Sequence, residues 1–244
     1  MLFNTRSIID SCVGILYPKR CVGCEKVLLK IEKEAGICRA CSKKIKIVGP
    51  ISCMKCGSPI VDEAEEFCIN CKKTSHYFDQ NKAVFRYESP IKESMYRFKY
   101  SNRRCYAKTY ARHAYKIYGS WIRENSIEAI IPVPMYTPKE KRRGYNQAAV
   151  FAKELGKLAS LQVLEDLIQR DKETEAMKAL NRLKRKKNLL NAFTLNENVV
   201  QFRKVLIVDD IYTTGTTLNS VAKVLKHGGA AHVYGLCISI GEAK

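Results

Sequence analysis

Several things are missing from this sequence, and each absence removes a class of protein. No apolar run approaches the roughly 20 residues a membrane helix requires, so no span is expected. The first twenty residues carry Arg6 and Asp10 among their apolar positions. A clean secretory h-region is therefore absent, and a cytoplasmic protein is expected. There is no GxxxxGK[ST] run, which removes the P-loop ATPases even though an acidic strand end is present. The four histidines, His76, His113, His227 and His232, show no ligand spacing and receive no chemistry. Acidic residues are scarce, with 24 Asp and Glu against 43 Lys and Arg, a net charge of +19. Such a balance favours polyanion partners, nucleic acid first and an anionic membrane surface second.

Cysteine, by contrast, is abundant. Eight of the eleven cysteines form four CxxC pairs: Cys21/Cys24, Cys38/Cys41, Cys53/Cys56 and Cys68/Cys71. Thirteen residues lie between the first two pairs and eleven between the last two. Each half has the spacing of a tetrahedral four-cysteine zinc ribbon. Disulfides need an oxidising compartment, for which no signal is present, and redox CxxC motifs usually occur singly. Two structural Zn²⁺ sites are the reading, paired sequentially because that closes the shorter loops. Saturated ligation leaves no open position for catalysis. Two bound zincs would remove about four positive charges and leave the chain strongly basic. Cys12, Cys105 and Cys237 fall outside the pairs and read as buried apolar thiols.

The most informative stretch is Lys204 to Leu218, KVLIVDDIYTTGTTL. Val205 to Val208 reads as a strand buried on both faces, as in a parallel sheet, ending in Asp209 and Asp210. Ligands of such sheets bind beyond the carboxyl ends of the strands. Thr213, Thr214, Gly215, Thr216 and Thr217 then offer hydroxyls and N–H groups at a helix start, a phosphate cradle. The carboxylates suit the vicinal hydroxyls of a ribose, with Mg²⁺ nearby. A ribose 5-phosphate site is expected.

A second anion site is expected upstream. Ile127 to Ile131 reads as a buried strand stopped by Pro132-Val133-Pro134. Lys139, Lys141, Arg142 and Arg143 then form a basic loop before Gly144, Tyr145, Asn146, Gln147 and a helix whose apolar face includes Ala148, Phe151, Ala152, Leu155, Leu158 and Ala159. Ala83 to Tyr87 reads as a strand, and one long helical stretch runs from Pro90 to about Trp121. Within it Phe98 to Lys108 interleaves basic and aromatic residues. That pattern suits phosphates and stacked bases and equally an amphipathic helix with snorkelling lysines. Arg182, Lys184, Arg185, Lys186 and Lys187 form the densest basic patch, read as a solvated helix face, a flap or a nucleic-acid contact. Leu218 to Leu225 begins a helix closed by Gly228-Gly229, and His232 to Ile240 is a final strand. Residues 1–17 read as a short docking helix, 18–76 as a double zinc-ribbon domain and 77–244 as the α/β domain.

Val205 to Thr217 resembles the phosphoribosyl pyrophosphate (PRPP) motif of type I phosphoribosyltransferases. The order of parts, a double four-cysteine ribbon, Arg143-Gly144-Tyr145-Asn146-Gln147, Arg185 with Asn188, Ala192-Phe193 and then Asp209 to Thr217, resembles the ComF (ComFC) family associated with DNA uptake in natural competence. Met177 departs from the Gln usual there. The resemblance implies an α/β type I phosphoribosyltransferase core, a mainly parallel sheet flanked by helices, with PRPP and Mg²⁺ at Asp209, Asp210 and Thr213 to Thr217. Lys139, Arg142, Arg143 and Arg185 become candidates for pyrophosphate or DNA. Single-stranded DNA and a competence DNA-translocating ATPase are the implied partners. Similar purine enzymes place an Asp where Thr213 stands, which disfavours purine salvage. The alternatives are a metabolic phosphoribosyltransferase acting on another base or related acceptor, and a zinc-braced scaffold with a relic loop.

Overall fold

A computed structural model describes residues 18–170, 192–196 and 201–241. Its centre is a five-stranded sheet, every pairing parallel, in the order β1 (Gln80–Arg86), β7 (His232–Ile240), β6 (Lys204–Tyr212), β2 (Ala129–Pro132), β3 (Gln162–Val163). The central strands are apolar on both faces because both are covered. Leu206, Val208, Leu236 and Ile238 point to one cluster, together with Ala107, Tyr110, Ala111 and Ala114 of α4 (Tyr106–Glu124) and Phe151, Ala152 and Leu155 of α6 (Gln147–Ala159). Val205, Ile207, Val233 and Cys237 face the other cluster, with Leu218, Val221, Ala222 and Leu225 of α7 (Thr216–His227). The period-2 alternation of the strands thus supplies both layers. A two-stranded antiparallel ribbon pairs β4 (Ile168–Arg170) with β5 (Phe193–Leu195).

The cysteine segment, with its short helices α1 (Arg39–Ser42) and α2 (Ile69–Lys73), is bound into this core. Cys21, Cys38 and Cys41 belong to the α4-side cluster, and Cys53 and Cys56 to the α7-side cluster. The chain between the two knuckles runs antiparallel along the free edge of β1, with the Val48 N–H donating to Val84 O at 3.0 Å and the Arg86 N–H to Lys46 O at 2.9 Å. An exposed sheet edge is thereby paired instead of left open to another chain. Arg97, on α3 (Ile91–Tyr100), holds the first knuckle by donating to Val22 O and Gly23 O at 2.9 and 2.6 Å. Buried Asn81 of β1 holds the second, its Nδ2 donating to Cys56 O at 2.8 Å.

Several expectations need correction. The long helix is two, α3 and α4, interrupted at residues 101–105, where Asn102 takes a positive φ of 52°. The basic loop is a helix, α5 (Thr137–Arg143), ended by Gly144 at φ +86°, the left-handed conformation glycine adopts without a Cβ penalty. β6 does not stop at Val208: its pairing with β2 ends there, but that with β7 continues to Tyr212. Cys237 is buried as expected, whereas Cys105 and Leu158 are exposed. Residues 1–17, including Cys12 and the expected docking helix, and the basic patch containing Arg185, lie outside the described residues, as do Asn188 and Met177. Among the described residues no helix is long and apolar enough to cross a membrane.

Gly235 of β7 tests this packing. A Cβ there would lie 2.5 Å from Asn81 Oδ1 and 2.6 Å from Leu218 Cδ2, so it must displace both the second-knuckle anchor and the α7 contact. Gly235→Ala is expected to cost about 1–3 kcal/mol, read as a lowered Tm; an unchanged Tm would show that this packing is not tight.

Candidate functional site

Two groups of four cysteines, Cys21/Cys24/Cys38/Cys41 and Cys53/Cys56/Cys68/Cys71, each bring their sulfurs within 4.8 Å of one another. The sequential pairing is the one formed. Sγ of Cys24 lies 3.7 Å from Sγ of Cys38, and Sγ of Cys56 lies 3.7 Å from Sγ of Cys68. A tetrahedral ion with Zn–S bonds of about 2.3 Å has S···S edges of about 3.8 Å, so both groups fit Zn²⁺. Backbone N–H groups within the knuckles already aim at sulfur: that of Cys38 donates to Cys21 Sγ at 3.3 Å, and that of Cys56 to Cys53 Sγ at 3.5 Å. Crowding pushes the thiols apart in acidity. The Cys56 thiol carries Cys53 down to about 4, while burial and the Cys53 charge hold Cys71 up at about 12. Four thiolates can share this space only around a divalent cation. His76 stands beside the second group, Nε2 3.6 Å from Cys71 Sγ, stacked on Phe78. The sequence reading gave it no role, although it lies only five residues beyond Cys71.

The acid pair sits just past the end of the β2–β6 pairing, beyond the carboxyl end of β2. Asp209 accepts a 2.7 Å hydrogen bond from the Asp210 N–H. The Asp210 carboxylate meets Lys99 Nζ at 2.9 Å, both side chains less than one-fifth exposed. Burial, then the Asp210 charge, lift the Asp209 carboxyl to about 7, against the pull of the Asp210 N–H, Lys99 and Arg170. Burial, then repulsion from Arg143, Arg170 and Lys99, depresses Lys139, with Asp210 opposing. Lys99, Lys139, Arg143 and Arg170 therefore share one field with the two carboxylates. Arg143 is held by Gln147 Oε1 at 2.5 Å and stacks on the Tyr100 ring at 4.9 Å. The following residues form the hinge between β2 and α6: Asn146 Nδ2 donates to Val133 O, and Asn146 Oδ1 caps the Ala148 N–H, each at 3.0 Å.

Of the expected anion residues, Lys139 and Arg143 reach the acid pair's surroundings, while Arg142 is exposed on α5. Lys99 and Arg170 were not anticipated. Lys99 lies in the basic-aromatic stretch, but nothing local distinguishes it from Lys108, and Arg170 is brought in by the tertiary fold.

The loop after the acids leads into α7. Thr213 and Thr214 are exposed, Thr214 Oγ1 lies 2.9 Å from Thr216 Oγ1, and α7 starts at Thr216. Gly215 adopts φ +73°, and a Cβ there would lie 2.2 Å from the Tyr212 hydroxyl. Tyr212 thus forms the floor of the loop. Its other neighbours are the Phe78 ring, edge-on at 6.4 Å, and the second cysteine group. Burial, then the charges of Cys56 and Cys71, raise its phenol far above the ordinary range. A small cavity of about 90 Å³ lies between metal centre and loop, lined by Cys56, Ser58, Cys71, His76, Thr213 and Thr214.

Two measurements follow from this geometry. Zinc analysis should give two ions per chain, and Cys53→Ser should lose one while lowering the Tm of the whole chain in a single transition. A separate low-temperature transition, with the main one unmoved, would show that the ribbon melts independently of the sheet. Asp209, raised to about 7 from an ordinary 3.8, contributes stability that is full below pH 4 and is lost as pH rises through 7. Asp209→Asn should therefore stabilise the ligand-free protein at pH 8 by roughly 1 kcal/mol, about 2–4 °C of Tm for a chain of this size, and by little at pH 4. Equal shifts at both pH values would contradict the burial of that charge.

Comparisons with known proteins agree with this arrangement. Residues 12–72 match the double zinc ribbon domain and residues 108–243 the phosphoribosyl transferase domain. Competence protein F of Haemophilus influenzae is 35% identical over 219 residues, covering 88% of this chain and 93% of that protein. DNA utilization protein YhgH of Escherichia coli K12 is 30% identical over 210 residues, covering 83% and 89%. Competence protein ComFC of Bacillus subtilis is 25% identical over 218 residues, covering 84% of each. The chain belongs to the competence protein F/ComFC family, with a double zinc ribbon joined to a phosphoribosyltransferase domain.

Proposed function

We propose that this protein binds PRPP with Mg²⁺ at the Asp209–Asp210 pair and binds single-stranded DNA through its basic surface, assisting DNA uptake in natural competence. The observation that carries the PRPP reading is the pair of adjacent carboxylates, one already engaged by Lys99, directly before a Thr/Gly loop that opens a 12-residue helix. The two carboxylates accept hydrogen bonds from the ribose 2- and 3-hydroxyls. The loop N–H groups and hydroxyls of Thr213 to Thr217 take the 5-phosphate. Lys99 is drawn from Asp210 toward the pyrophosphate, joining Lys139 and Arg143. Mg²⁺, when bound, would supply neutralisation of the pyrophosphate charge beside Lys99, Lys139 and Arg143.

The DNA half rests on the net charge of +19 and on relatives named for competence and DNA utilization. A cytoplasmic DNA-translocating ATPase of the uptake machinery is the partner this reading assigns.

Calorimetric titration of the zinc-loaded protein with PRPP and Mg²⁺ is the test. Saturable binding is expected, weakened at least 100-fold in Asp209→Asn/Asp210→Asn, since two charge-assisted hydrogen bonds at about 1.5–3 kcal/mol each are lost. Affinity should fall between pH 8 and pH 6, because Asp209 must be ionised to serve as an acceptor and titrates near 7. No binding by the intact protein removes the PRPP reading. Pyrophosphate release with a defined base moves the function to the metabolic alternative.

A further inference from the structure

The aromatic residues of the basic-aromatic stretch Phe98 to Lys108, with Tyr96 and Tyr110 on either side of it, are divided by the fold into two sets. Phe98, Tyr106 and Tyr110 are buried and belong to the core. Tyr96 and Tyr100 are not: they are 63% and 62% exposed, one turn apart on the outer face of α3. Their ring centroids lie 5.0 Å apart at 46°. The Arg143 guanidinium lies over the Tyr100 ring, 4.9 Å from its centroid, and is fixed by its hydrogen bond to Gln147. Tyr96, Tyr100 and Arg143 thus form a stepped row of two rings and a cation, open to solvent. The residue preceding Tyr100 is Lys99, whose Nζ turns inward to Asp210 at 2.9 Å. One turn of α3 therefore reaches the acid pair with one side chain and solvent with the next.

Two large aromatic faces kept out of the core, adjoining a held guanidinium, are suited to a flat π-ligand carried on an anionic backbone. Every nucleobase has such a face, so this kind of recognition is tolerant of sequence. Arg143 serves the row twice, by extending the stack and by offering charge to a phosphate. We infer that Tyr96 and Tyr100, with Arg143, form a base-stacking platform for single-stranded nucleic acid at the rim of the acid-pair cleft. The inference deepens the DNA-binding part of the proposed function and rests on it. Bases stack outward from the ring of Tyr96, and the backbone runs past Arg143 toward the cleft. The tyrosine hydroxyls are not required, because the contact is made by ring faces.

Affinity for a fluorescein-labelled dT20 oligonucleotide, measured by anisotropy across a salt series, tests this. The zinc-loaded protein is compared with Tyr96→Ala/Tyr100→Ala and Tyr96→Phe/Tyr100→Phe, and dT20 with an abasic strand of equal length. The alanine pair should bind dT20 roughly tenfold or more weakly, with an unchanged slope of log affinity on log salt, since the phosphate contacts remain. The phenylalanine pair should bind as the unaltered protein does. The abasic strand should lose affinity for the unaltered protein and lose little more on alanine substitution. Equal dT20 binding by the alanine pair overturns the platform while leaving the DNA-binding reading intact. An alanine loss that is as large with the abasic strand also overturns it, because the rings would not then be reading bases. If the unaltered protein binds neither strand at low salt, the platform and the DNA-binding reading fall together. Both tyrosines are solvent-exposed, so the variants should keep the Tm of the parent.

Discussion

Two carboxylates side by side at a half-buried position repel one another, and the site is arranged around that repulsion. Asp210 is satisfied by Lys99, whereas Asp209 has one backbone N–H and is driven toward protonation. A fold selected only for stability would not keep such a pair. The surrounding cations do not cancel it fully either, since Lys139 is itself depressed by burial and by its basic neighbours. Asp209 and Lys139 are thus both driven toward their neutral forms. Under the proposed function a ligand carrying hydroxyls and phosphates together would supply the partners that both lack.

The zinc ribbon is a structural part of the same sheet. β1 is an edge strand, and the ribbon chain supplies its missing neighbour through Val48 and Lys46. Asn81, fully buried, uses its amide to hold the second knuckle at Cys56 O and also meets Cys237 at 3.6 Å. A buried amide left without partners costs about 1–3 kcal/mol, so ribbon and sheet stabilise one another. The two metal centres rest on opposite faces of the sheet, each among the apolar side chains that pack its helices.

What was legible in the sequence divides along a physical line. Features set by short-range spacing could be read: the CxxC pairs, the apolar runs of β6 and β7, the Thr/Gly turn that leads into α7, and the apolar face of that helix. The helix α5 was not, because Pro138 and four clustered cations suggest a loop. Pro is tolerated in a first helical turn, however, and Gly144 is a C-terminal stop signal. The interruption after Tyr100 was signalled by Ser101-Asn102, but the amphipathic pattern runs through it on both sides. Lys99 and Arg170 join the acid pair from α3 and β4, elements far from it in sequence, and no local pattern marks a cation that finds a carboxylate through the fold. The family resemblance supplied the architecture correctly. Its candidates included Lys139 and Arg143 but not Lys99 or Arg170.

Tyr212 joins the second cysteine group and the Thr/Gly loop into one mechanical unit. Its hydroxyl end lies under Gly215, where any side chain would collide with it, so the left-handed turn that opens α7 depends on that ring. The ring in turn packs against Phe78, which carries His76 and thereby the edge of the second cysteine group. Protein interiors are close-packed and transmit displacement instead of absorbing it. Loosening the second knuckle therefore moves the floor of the loop, although no cysteine touches a ligand there. On this account the second cysteine group bears on the Thr/Gly loop by fixing the position of one aromatic side chain. The first knuckle, held by Arg97 and the Glu25–Arg103 pair at 2.6 Å, instead fixes α3. That helix carries Lys99 to the acid pair and Tyr100 beneath Arg143, so the two cysteine groups brace different elements beside the acid pair.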